Sequence, residues 1–133
     1  MFNLSKSIYA TTVIVVLLVI LITPRSSLAI DCGTGKSHNS TYGSRQPGDR
    51  IVFQDHIRKE WKLLRYAEGD AKFPLRGQKP AIITKIEAID QYTNGHGGCA
   101  YITEGGVGQN HVNVHIKSEF NRGIDFLINI YGK

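Results

Sequence analysis

Nowhere in its 133 residues does this chain place four lysines or arginines in a row, and its densest basic stretch, Arg58-Lys59-Glu60-Trp61-Lys62, is broken by an acid. Nucleic-acid binding calls for a basic stripe, which is missing, so direct contact with DNA or RNA is not expected. Cysteine is limited to Cys32 and Cys99, which leaves only one possible intramolecular disulfide. No internal repeat and no linker divides the chain after its first residues, which argues for one domain. No complete catalytic motif is present either. Gly33-Thr34-Gly35-Lys36-Ser37 has the ending of a phosphate-binding loop, but the glycine required five positions before Gly35 is replaced by Ile30. The strand and helix that such a loop joins are not predicted there, so a flexible N-terminal loop is the better reading.

Uncharged apolar sequence, by contrast, is concentrated at the start. Lys6 precedes an uncharged run from Ile8 to Ile22, in which only Thr11 and Thr12 are not apolar. Thr23-Pro24 breaks the run, and Ser27-Leu28-Ala29 puts small residues at the two positions a signal peptidase inspects. A spanning helix needs about 20 apolar residues, and this run is shorter. Residues 1–29 therefore read as an export signal cut between Ala29 and Ile30, leaving no stable membrane anchor. Removing them leaves 104 residues, with fourteen basic against eleven acidic side chains and a net charge of +3. That size suits one domain with one core. The mild positive charge favours solubility and weak attraction to anionic surfaces.

Export gives the two cysteines a role. An even cysteine count on an oxidising route predicts a Cys32–Cys99 disulfide. Asn39-Ser40-Thr41 is an acceptor sequon, so Asn39 is a candidate glycosylation site. Residues 30–49 are polar and loop-like, and residues 50–133 form the folded domain. Within it, 50–57, 61–66, 81–92, 99–103, 111–117 and 124–131 read as strands, with a helical turn as the alternative for 61–66. Residues 69–80 carry Asp70, Pro74, Gly77 and Pro80 and read as loop. The fold class is all-β: a single small antiparallel sandwich or partly closed barrel of about six or seven strands. Matching apolar faces across the loop 119–123 predicts a hairpin that pairs Ile116 with Phe126, Val114 with Ile128 and Lys117 with Asp125.

Candidate chemistry is sparse. His111 and His115 share a strand face, but at ~3.3 Å per residue they lie too far apart to chelate one metal readily. Neither a metal nor a cofactor is expected. Glu87, Asp90 and Glu104 flank glycine loops and read as exposed carboxylates at strand ends, any of which could approach His96. With no nucleophile–base pair evident, the chain is expected not to be an enzyme. The polar face carrying His111, Asn113, His115 and Lys117 is the candidate binding face.

Several segments together resemble a known family. They are Gly48-Asp49-Arg50-Ile51-Val52, Ile86-Glu87-Ala88-Ile89-Asp90-Gln91-Tyr92, the block from Gly97 to Gly108, and the ending Ile128-Asn129-Ile130-Tyr131-Gly132-Lys133. They look like the arthropod multiprotein bridging factor two family, also labelled transcription activator or salivary secreted peptide. The resemblance covers roughly residues 45–133 and brings no catalytic residues with it. It implies one of two roles. One is a secreted non-enzymatic binding protein whose partner is an unidentified protein or small ligand in saliva or another extracellular fluid. The other is a transcriptional co-activator bridging a DNA-bound regulator and the general machinery.

Overall fold

The computed structural model describes residues 4–22, Cys32 and 35–133. The expected cleavage point, Ala29–Ile30, lies outside the described residues, as do Gly33 and Thr34 of the phosphate-loop look-alike. The apolar run forms helix α1 (Leu4–Ile22). Its described apolar side chains are half or more exposed from Ile8 to Leu18, and none belongs to the core.

Seven strands follow: β1 (Ser40–Gly43), β2 (Arg50–Lys59), β3 (Glu68–Phe73), β4 (Ile83–Asp90), β5 (Cys99–Gly105), β6 (Val112–Lys117) and β7 (Ile124–Gly132). They form two antiparallel sheets, ordered β1-β4-β7-β2 and β3-β6-β5, which do not close into a barrel. Period-two alternation builds the core. Ile124, Phe126, Ile128 and Ile130 of β7 are buried on one sheet, Val112, Val114 and Ile116 of β6 on the other. Phe53 and Phe73 join the sheets, their ring centroids 6.0 Å apart.

The expected β6–β7 hairpin does not form. Ile116 lies between Gly69 of β3 and Ala100 of β5, and Ile128 between Asp55 of β2 and Ala88 of β4. Alternation fixes which face of a strand is buried but not which strand lies beside it. Here the two apolar faces meet across the core instead of side by side, and the loop 119–123 crosses between sheets. Asp125 accordingly pairs with His56 at 2.6 Å, not with Lys117. The one hairpin between consecutive strands among the described residues is β5–β6.

Three segments differ locally from expectation. Residues 61–66 form an exposed loop in which Leu64 takes a positive φ of 56°, so an extended strand cannot run through it. Residues 68–73 form β3 because Ala71 and Phe73 point inward while Asp70 and Lys72 stay exposed. The polar segment 30–49 supplies β1, which adds to the edge of the larger sheet through β4.

Candidate functional site

Burial of Val112, Val114 and Ile116 turns His111, Asn113, His115 and Lys117 to the opposite face of β6. As β6 is the central strand of its sheet, these side chains have neighbours on both sides. His115 lies opposite Asp70 on β3 and Tyr101 on β5. Its Nδ1 is 3.1 Å from Asp70 Oδ1, its Nε2 is 3.4 Å from Glu68 Oε1, and its ring meets Tyr101 edge-on at 5.3 Å. Asn113 Nδ2 donates to Asp70 Oδ1 at 2.9 Å and to Thr103 Oγ1 at 2.7 Å. The Asn113 amide, and after it His115, hold the Asp70 carboxyl below its ordinary range. Asn113 Oδ1 is buried without a hydrogen-bond partner. Lys117 Nζ sits 4.4 Å from the centre of the Tyr66 ring.

Asn113, His115 and Lys117 thus share a half-buried network with Glu68, Asp70, Tyr101 and Thr103. His111 stands apart at the start of the strand, its Nδ1 3.0 Å from Asn110 Oδ1. His115 is not simply solvated: two carboxylates and a tyrosine surround it, and its side chain is 19% exposed. Asp70 and Glu68 were not identifiable before the strand order was known, since β3 is distant from β6 in sequence, and the β5 partners needed the β5–β6 register.

A second cluster fastens the N-terminal segment. The Cys32–Cys99 disulfide is formed. Asp90, expected at an exposed strand end, is only 4% exposed. Its Oδ2 accepts from the His38 backbone N–H at 2.9 Å and its Oδ1 from that of Tyr92 at 3.0 Å. Hydrogen bonding, rather than solvent, satisfies this carboxylate. His38 is itself buried, with Nδ1 2.8 Å from the Gly98 carbonyl. The Asp90 N–H donates to Asn39 Oδ1 at 2.8 Å. Neither Asp90, Glu87 nor Glu104 pairs with His96, which meets Glu119 at 2.9 Å instead. Glu87 is held below the ordinary carboxylate range, first by Lys85 and then by Asn129.

Beyond this cluster a cleft of about 420 Å³ opens between loops 60–67, 91–98 and 118–123, lined by Trp61, Tyr92, Asn94, His96, Asn121, Arg122 and Gly123. Among the described residues, no group of three or more His, Cys, Asp or Glu side chains is placed to hold a metal ion.

The sequence model of the family described as "Transcription activator MBF2" matches residues 42–132. The chain belongs to that family. A "Probable salivary secreted peptide" of Bombus ignitus is 40% identical over 100 residues, covering 75% of this chain and 73% of the relative. No solved structure matches.

The segments that carry the family likeness are used to build the fold. Asp49 closes the turn before β2, accepting from the Gln46 N–H at 2.6 Å, Arg45 Nε at 2.7 Å and Thr84 Oγ1 at 2.8 Å. Arg45 in turn lies 4.3 Å over the ring of Tyr131 near the end of β7. The 86–92 and 97–108 motifs meet at Asp90, where a Cβ on Gly97 would come within 2.0 Å of the carboxylate.

Proposed function

We propose that the protein is a secreted, non-enzymatic binding module of an extracellular fluid, with the outer face of β3-β6-β5 as its polar recognition surface. The observation that carries the reading is the Cys32–Cys99 disulfide, since such bonds form and persist on the export route and are rare in the nucleus and cytosol. Three features support it. Helix α1 contributes nothing to the core, so its removal leaves the domain whole. The Bombus relative is named as a secreted peptide. Asn39 is exposed, with its amide oxygen held by Asp90 while the amide nitrogen is the atom a glycan joins.

The family description favours a second reading, a co-activator in the nucleus. A C-terminally tagged chain distinguishes the two. Recovery from the medium, with a mass decrease on enzymatic removal of N-glycans that Asn39→Gln abolishes, fits the exported and glycosylated form. Accumulation in the nucleus with residues 1–29 intact contradicts it. For the surface, capture from extracellular fluid compares the native protein with Lys72→Glu/Lys117→Glu. A partner lost by that variant supports the outer face, and one retained equally places recognition elsewhere.

A further inference from the structure

Loop 60–66 joins β2 to β3 at the same end of the sandwich as the cleft and exposes a cluster of large apolar side chains: Trp61 (61% exposed), Leu63 (70%), Leu64 (69%) and Tyr66 (51%). Phe120 stands beside them, its ring centre 5.4 Å from that of Tyr66. A slack loop would fold such groups inward, but this one is fastened. The Leu64 N–H donates to Asn121 Oδ1, and the Asn121 N–H donates to the Arg65 carbonyl at 3.0 Å. The Ala67 N–H donates to Ser118 Oγ at 2.7 Å, and the Ser118 N–H to the Ala67 carbonyl at 2.8 Å. Leu64 is held in the left-handed region, an outlier for a bulky aliphatic residue. Strain maintained so as to display an apolar side chain points to use of that side chain.

Around this tip the chain places Lys59, Lys62, Arg65 and Arg122, all exposed. Arg122 lines the cleft together with Trp61. The nearby acids are already occupied, Glu60 with Arg58 at 3.2 Å and Glu119 with His96 at 2.9 Å. An apolar tip led by tryptophan and leucine and ringed by basic side chains matches the boundary of an anionic bilayer, where aromatic and aliphatic groups enter the headgroup layer and lysine and arginine meet the phosphates. We propose that this end of the sandwich docks reversibly on anionic lipid surfaces, with Trp61, Leu63 and Leu64 inserted and Lys59, Lys62, Arg65 and Arg122 against the headgroups. Export would bring the tip to an outer surface, but a vesicle assay tests the tip without it, so the two readings fail separately.

Trp61 is the single tryptophan, so its emission reports on the tip alone. The assay uses residues 30–133, which hold the whole core and both cysteines, so that α1 cannot insert in the tip's place. With mixed phosphatidylcholine–phosphatidylserine vesicles, Trp61 emission should shift to the blue, be quenched by brominated acyl chains, and the protein should sediment with the lipid. Pure phosphatidylcholine should bind it more weakly. Lys62→Gln/Arg65→Gln should lose on the order of five-fold in affinity per charge removed. Leu63→Ser/Leu64→Asn should abolish insertion while the disulfide and the β-sheet circular dichroism persist, since asparagine accepts a left-handed φ. The proposal is overturned by an unshifted Trp61 with anionic vesicles, or by equal binding of the Leu63/Leu64 variant. Shielding of Trp61 that rises with protein concentration in the absence of lipid also overturns it, by assigning the patch to a second copy of the chain.

Discussion

Asp49 shows how much a single side chain can tie together. Its carboxylate accepts from the backbone of Gln46, from Arg45 and from Thr84, so it links the turn before β2 to β4. The Gln46 N–H, followed by Arg45 and Thr84, lowers its pKa from 3.8 to about 2. A carboxyl whose folded pKa lies below its unfolded value contributes stability at higher pH and loses it as pH falls through the folded pKa. Asp49→Asn should therefore lower the melting temperature near neutral pH. The gap from the native protein should close as pH falls from near 3.8 toward about 2, which parallel thermal melts will show. Gly98 gives a steric counterpart. Its φ is +86°, and a Cβ there would lie 2.4 Å from the Lys117 carbonyl, backbone that cannot rotate away. Gly98→Ala should cost about 1–3 kcal/mol in urea unfolding, from overpacking and left-handed strain.

Among the elements, the two central strands carry the core, and their interiors were legible because alternation over six to nine residues has a single physical meaning. Neighbour choice was not. Ile116 and Phe126 are equally apolar and equally suited to a hairpin or to opposite walls of a core, and loop 119–123 has enough residues for either. β3 was hidden because Gly69, Asp70 and Pro74 are residues that punctuate loops, whereas the signal lay in Ala71 and Phe73. For the candidate face, the sequence pattern supplied the β6 residues but not Glu68, Asp70 or Tyr101, which only strand order brings to His115. Residues 61–66, read as a strand or a helical turn, form an exposed loop that Asn121 fastens outward, a contact no local pattern announces. Ile128, fully buried between β2 and β4, should cost about 2–5 kcal/mol when changed to alanine, measured by chemical denaturation. The edge strand β1 depends instead on the disulfide and the Asp90 cluster. Cys32→Ser/Cys99→Ser should lower stability by about 2–5 kcal/mol and raise amide exchange first in residues 35–43.

At the scale of the whole molecule, the described residues form a seven-stranded sandwich with a covalently fastened N-terminal segment and a helix that contributes nothing to the core. The family match over residues 42–132 takes in β2 to β7 and the buried Asp90. A Cys32–Cys99 bridge and a removable N-terminal helix suit a chain processed on the export route. The most direct test is N-terminal sequencing, with intact mass under non-reducing conditions, of the protein recovered from expressing cells and their medium. The exported chain should begin at Ile30 in the medium and carry no alkylatable thiol. A chain that keeps Met1, stays in the cell and carries Cys32 and Cys99 as two free thiols would contradict it.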